Sequence, residues 1–300
     1  MTRYVFDWVD AFSGQAFGDN GCVVVQGADD LAVEDRLALV RETSLTECAF
    51  VIGSDRADFG ARYTLADREI PMAGHPTVAT VIALLDRGRV RPDRHGRAAF
   101  TLEVGAGVLP ITVETGAEGP LVTMTQPAPV FGAVQDPAEI AAMVGLSPQD
   151  LLAPPQIVST GTPFCITLLR DHAALARARL DPAAFARRNP PGTAIADLVE
   201  PFLVCLGGAS PEGDTFARLL LPPPMPAEDP FTGSATGCMA AYLWHHGWIA
   251  SPRFIAEQGH WMGRPGRARV EVLGPAAAPS GVRVGGTGHV LMRGELDLGR

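Results

Sequence analysis

Apolar residues recur along the chain with two different periods. Short alternating or continuous apolar runs, bounded by Gly, Pro, Asn and Asp, predict strands over 3–9, 22–26, 48–52, 60–66, 98–104, 108–115 and 120–126. A second series follows over 156–159, 164–169, 202–206, 215–221, 253–257, 268–273, 281–285 and 289–298. Two apolar segments have helical length and end in glycine: one over 75–87 before Gly88, the other opening at Gly233, Ser234 and Ala235 and closed by Gly247. Further helices are expected over 29–42, with Asp29 or Asp30 as cap and Leu31, Val33, Leu37, Leu39 and Val40 as apolar face, and over 137–145. Residues 172–189 read as two short helices, with Arg177, Arg179, Arg187 and Arg188 on a solvated face. The pattern is that of an α+β protein in which strand-rich lobes each wrap one helix.

The two glycine-closed helices repeat one another. Ala73-Gly-His-Pro-Thr-Val-Ala-Thr-Val-Ile-Ala-Leu-Leu-Asp-Arg-Gly88 superposes without a gap on Thr232-Gly-Ser-Ala-Thr-Gly-Cys-Met-Ala-Ala-Tyr-Leu-Trp-His-His-Gly247. Gly74 meets Gly233, Thr77 meets Thr236, Leu84 meets Leu243 and Gly88 meets Gly247, each pair 159 apart (233 minus 74, for example). The flanks continue the register, Phe100–Gly105 against Phe254–Gly259 and Val113-Glu114 against Val270-Glu271. Chance similarity of two capped helices would not extend into flanking strands, so the chain reads as two related lobes. Gln126-Pro-Ala-Pro129 is the linker, giving an N-terminal lobe over 1–126 and a C-terminal lobe over 127–300, whose last strand is free to return to the first.

Composition narrows the function. The 300 residues are 47% hydrophobic and carry 24 Lys plus Arg against 33 Asp plus Glu, a formal charge of −9, which invites neither nucleic acid nor an anionic membrane. No apolar run approaches a membrane span, and Asp7 and Asp10 interrupt any signal-peptide core, so a cytoplasmic location is expected. The five cysteines are odd in number and lack a Cys-x-x-Cys pair, which predicts reduced, half-buried thiols and neither a disulfide framework nor a zinc site. Gly105-Ala-Gly-Val-Leu-Pro110 breaks the dinucleotide-binding pattern at its last position, and no metal or cofactor is implied.

Three places carry candidate chemistry. The unpaired N–H groups at each repeated helix mouth, with Gly74 in one and Gly233 and Ser234 in the other, favour a carboxylate or a developing oxyanion. Glu47, at the entrance of the apolar strand 48–52, reads first as a solvated loop acid, the commonest fate of any Glu, and second as a carboxylate in a dry pocket with a raised pKa serving as general base. His75, at the first helix start, is either a near-cap or a ring kept neutral near pH 7 by its N-terminal position.

Met72-Ala-Gly-His-Pro-Thr77, Glu228-Asp-Pro-Phe-Thr-Gly-Ser-Ala-Thr-Gly237 and Glu257-Gln-Gly-His-Trp-Met-Gly-Arg-Pro-Gly266 together closely resemble the PhzF-like family of phenazine-biosynthesis isomerases. Val9-Asp-Ala-Phe12 with Phe17-Gly-Asp-Asn20, and Leu45-Thr-Glu-Cys-Ala-Phe-Val51, resemble two further family segments. The resemblance implies the diaminopimelate-epimerase-like fold: two pseudo-symmetric lobes, each a curled, mostly antiparallel sheet around a central helix, with the active site between them. It implies a homodimer and a cofactor-independent isomerase moving a proton on a small carboxylate. Glu47 would be the catalytic acid/base, His75 and Asp229 its assistants in proton transfer, and Gly74, Gly233 and Ser234 the holders of the substrate carboxylate or enolate. Gly21, where Pro is usual after Asn20, and Phe231, where a small residue is usual, depart from the pattern, and Phe231 implies a narrower or more apolar pocket. Related racemases use a thiol at each helix mouth, but Ala73 and Thr232 occupy those places here.

Other readings compete. A hydrolase triad of Ser234, His75 and Asp229 lacks the Gly-x-Ser-x-Gly elbow. A carboxylate-binding protein without turnover, and an epimerase or racemase using Glu47 in place of a cysteine pair, both fit the same residues.

Overall fold

The computed structural model describes residues 3–117 and 119–299. The expected turn at Gly116–Gly119 therefore contains Glu118, which lies outside the described residues. The first half of the chain runs β1 (Arg3–Ala11), β2 (Asn20–Val25), α1 (Val33–Thr43), β3 (Cys48–Ile52), β4 (Phe59–Thr64), β5 (Glu69–Ile70), α2 (Gly74–Asp86), β6 (Arg97–Val104), β7 (Gly107–Gly116) and β8 (Gly119–Gln126). The second continues β9 (Val130–Val134), α3 (Pro137–Met143), β10 (Gln156–Ser159), β11 (Pro163–Leu168), α4 (His172–Arg177), α5 (Pro182–Arg188), β12 (Pro201–Leu206) and β13 (Thr215–Leu220). It closes with β14 (Glu228–Asp229), α6 (Gly233–His245), β15 (Arg253–Gln258), β16 (Gly266–Leu273), β17 (Gly281–Gly286) and β18 (Gly288–Asp297). Met1–Thr125 with Gly285–Arg300 form one compact unit, and Gln126–Val284 form another.

Each unit repeats one order of strand pairing. In the first, β1 is antiparallel to β2, β2 parallel to β3, β3 antiparallel to β4, β4 antiparallel to β5 and parallel to β6, and β6 antiparallel to β7. In the second, β10, β11, β12, β13, β14, β15 and β16 follow with the same sequence of antiparallel and parallel partners. The sheets are mixed and mainly antiparallel, and the class is α+β. β18 returns to the first unit and pairs antiparallel along the length of β1, Arg3 opposite Asp297 and Ala11 opposite Gly288.

One helix fills the concave side of each sheet. α2 packs on β1, β2, β3 and β18, while α6 packs on β10, β11, β12 and β16. Gly74 through Leu84 and Gly233 through Leu243 are all buried, the condition under which a helix carries apolar or small residues on every face. Both helices end alike. Gly88 and Gly247 adopt φ of 66° and 71°, and the N–H groups of Arg89 and Trp248 reach back to the carbonyls of Leu84 and Leu243, both at 2.9 Å. That is the Schellman closure, and only glycine enters the left-handed region at C′ without steric cost.

Several elements differ from the sequence expectation. α1 starts at Val33 with Ala32 as N-cap, because Asp29 accepts the Gly53 N–H and Asp30 accepts the Tyr4 hydroxyl, which leaves neither for capping. Val33 is exposed, and its expected place on the buried face is taken by Arg36, whose guanidinium donates to the carbonyls of Leu31 and Ala28. The segment expected to be linker from Gln126 is linker only at 127–129, since Gln126 closes β8 and β9 begins at Val130 to pair with β10. All five cysteines are free and fully buried, not half-exposed, and burial pushes the thiols of Cys48 and Cys165 up to about 12 and that of Cys238 to about 11. Among the described residues no helix is long and apolar enough to cross a membrane.

Candidate active site

The mouths of α2 and α6 are built alike. Neither Ala73 nor Thr232 caps its helix with a side chain, and neither helix has an acidic residue in its first turn. The positive end of each helix dipole is therefore uncompensated from within its first turn, as an anion-receiving helix start requires. Thr77 donates to the Ala73 carbonyl at 2.6 Å and Thr236 to that of Thr232 at 3.0 Å, so the same hydroxyl tightens the first turn in both.

In the first unit the structure brings Glu47, Gly74 and His75 together. Glu47 immediately precedes β3, and its side chain is 15% exposed against 2% for His75. Glu47 Oε2 lies 3.8 Å from His75 Nδ1. The same nitrogen accepts a hydrogen bond from the Asn20 amide, Nδ2 to Nδ1, at 3.0 Å. Burial drives the His75 imidazole down to about 3, so it is neutral throughout the physiological range. Its second nitrogen, Nε2, is buried and has no hydrogen-bond partner among the described residues.

In the second unit Asp229, Gly233 and Ser234 share one turn, with Asp229 in β14 and the other two opening α6. Thr232 Oγ1 donates to Asp229 Oδ2 at 2.6 Å. Gln258 holds the turn from beneath: its amide nitrogen donates to the Asp229 carbonyl and its oxygen accepts the Thr232 N–H. Gln126 donates to the Gly233 carbonyl at 2.9 Å while accepting the Thr160 hydroxyl at 2.6 Å. Phe231 is fully buried, and Gly21 stands where a side chain would meet Trp8 and Leu45. The supporting roles of Asn20, Gln126 and Gln258 were not visible in the motifs, although each is a buried polar residue at an end of its strand.

The profile of phenazine biosynthesis-like proteins matches residues 9–294 of the chain. The chain belongs to this PhzF family. Among the curated relatives of this PhzF-like protein is the trans-2,3-dihydro-3-hydroxyanthranilate isomerase of Pseudomonas aeruginosa, 30% identical over 99% of this chain and 100% of that one. An uncharacterized isomerase of Mesorhizobium japonicum is 29% identical over 96% of both chains. The crystal structure of a PhzF-family protein from Bacillus anthracis superposes with a TM-score of 0.83 at 26% identity, covering 99% of this chain and 100% of that one. A hydroxyproline epimerase from Agrobacterium vitis, solved with trans-4-hydroxy-L-proline bound, shares the fold at a TM-score of 0.69 and 14% identity over 99% of this chain and 91% of that one. The PhzF-like protein is an isomerase, with the duplicated α+β fold of these proteins.

Proposed function

We propose that this isomerase moves a proton within a small carboxylate substrate, without a cofactor, by general acid/base catalysis at Glu47. The carboxylate of Glu47 takes a proton from a carbon next to a carboxylate or carbonyl, leaving the C–H electron pair as an enolate. Glu47, after exchange of its proton with solvent, returns one proton to a conjugated carbon, so the substrate is isomerised with no net gain or loss of atoms or electrons. The observation that carries this reading is the pairing of Glu47 with a buried, neutral His75 at an uncapped helix start. Neutral His75 is a hydrogen-bond donor or acceptor of fixed charge, suited to a charge that develops and decays within one turnover. Gly74 at the mouth of α2, and Asp229, Gly233 and Ser234 at the mouth of α6, would each be suited to receive an oxygen of a carboxylate or an enolate. Fixed donors of this kind are worth about 3–4 kcal/mol each toward a developing oxyanion. The relative that acts on trans-2,3-dihydro-3-hydroxyanthranilate supports a cyclic, unsaturated carboxylate as substrate class.

Incubation of trans-2,3-dihydro-3-hydroxyanthranilate and a panel of cyclic and amino carboxylates in heavy water tests the proposal. Deuterium should enter a responsive compound at a carbon conjugated to its carboxylate, and Glu47→Gln should slow this by roughly 10²–10⁴-fold. Full activity in Glu47→Gln would refute the base assignment. Deuterium entering with inversion at a single carbon would make the reaction an epimerisation, and binding without any exchange would make the protein a carboxylate binder.

A further inference from the structure

We propose that Asn20 is a positioning residue of this site: its amide N–H holds His75 as the Nε2-protonated tautomer, so that Nε2–H is offered to the substrate and Nδ1 is closed to Glu47. The inference rests on the proposed function for its catalytic consequence, and on geometry alone for the tautomer. A neutral imidazole has one N–H and one lone pair. Asn20 Nδ2, which can only donate, lies 3.0 Å from His75 Nδ1. A proton on Nδ1 would set two N–H groups face to face in a buried pair, so the ring proton resides on Nε2. That nitrogen is buried without a partner among the described residues, a state that buried polar groups in folded proteins seldom adopt. The occupied lone pair has a second effect. Nδ1 is also the atom nearest Glu47, at 3.8 Å from Oε2. With the Asn20 N–H on it, the ring cannot take the proton that Glu47 removes from carbon, so Glu47 itself carries the acid and base steps and exchanges its proton with solvent directly.

An independent feature marks Asn20 as deliberately placed. The loop that delivers it holds three non-glycine residues in the left-handed region: Phe12, Phe17 and Asp19 at φ of 62°, 64° and 34°. Aromatic side chains avoid this conformation, and such strain persists where surrounding structure enforces it. Here the Phe12 N–H is tied to the Thr287 carbonyl at 2.7 Å, and its ring lies where a side chain on Gly286 would stand. The loop ends at Asn20, which opens β2 opposite Ala11 and is 3% exposed.

Nitrogen-15 spectra of histidine-labelled protein, with the His75 signals assigned by their loss in His75→Gln, test the tautomer without any ligand. Protonated Nε2 and hydrogen-bonded, unprotonated Nδ1 are expected in the native protein at pH 7, and a native Nδ1–H would overturn the proposal even if no variant folds. Asn20→Asp, which presents only an acceptor, should move the proton to Nδ1; an unchanged ring in that folded variant would also refute it. Heavy-water exchange of trans-2,3-dihydro-3-hydroxyanthranilate should fall about 10²-fold or more in kcat for Asn20→Asp with KM changed far less, as misplacing an imidazole proton does elsewhere. Native kcat in Asn20→Asp with a reversed tautomer would sink the catalytic consequence. Full activity in Glu47→Gln would overturn the proposed function while leaving the tautomer result standing.

Discussion

Replacing Gly237 by alanine tests how the mouth of α6 is held. A Cβ at Gly237 would stand 1.8 Å from Gln126 Oε1 and 2.6 Å from its Cδ, so the amide must leave. The overlap itself is inexpensive, because it falls on the end of a side chain. The cost lies in what that amide does: Gln126 is 1% exposed, donates to the Gly233 carbonyl and accepts the Thr160 hydroxyl. Losing two buried hydrogen bonds removes about 1 kcal/mol each, and leaving their partners unsatisfied costs a further ~1–3 kcal/mol. Alanine within a helix returns about 1 kcal/mol relative to glycine. The net expectation is a loss of about 2–4 kcal/mol, read as a lower urea midpoint with unchanged slope. The decisive comparison uses the Gln126→Ala background, where the space is empty and the bonds are already gone. There Gly237→Ala should stabilise by about 1 kcal/mol, a reversal of sign that only a direct contact produces. Equal destabilisation in both backgrounds would refute the reasoning.

Two further outcomes follow from buried charge. The His75 ring is depressed to about 3 in the folded protein and sits near 6.5 when unfolded, so below pH 6.5 the unfolded chain binds the extra proton and stability falls as pH drops toward 3. His75→Gln should flatten the stability profile in that window by up to about 1.4 kcal/mol per pH unit, measured by denaturant titrations at successive pH values; an equal or steeper slope would contradict the assignment. Arg87 grips the fully buried Asp7 through Nε at 2.6 Å and Nη2 at 2.9 Å, so Arg87→Ala should cost about 3–5 kcal/mol in the same assay, and a loss below 1 kcal/mol would show that Asp7 does not depend on it.

The helices and most strands were legible because their signals are local. The apolar runs bounded by Gly88 and Gly247 give α2 and α6 to within a residue, and the 159-residue offset between Gly74 and Gly233 carries over to a shared order of strand pairing. What escaped depended on distant partners. The two-residue strands β5 and β14 are too short to show a period, and they exist because β4 and β13 supply their hydrogen bonds. Asn20 and His75 are 55 residues apart and Gln126 and Gly233 are 107 apart, separations at which no periodicity reports contact. Gln126 beside Pro127 has the composition of a linker, and only the carbonyl waiting at Gly233 makes it a strut. Asp29 and Asp30 have the chemistry of helix caps, but the Gly53 amide and the Tyr4 hydroxyl compete for them and win.

The pairing of β18 along β1 has a consequence for biosynthesis. Residues 3–11 are synthesised before all of Gln126–Val284 and residues 288–297 after it, so the edge of β1 that pairs with β18 waits unpartnered while the intervening chain is made. Gln126–Val284 is contiguous and suffers no such delay. The segment made second is thus positioned to mature first, with the earlier unit completing only once β18 has followed it and zips against β1.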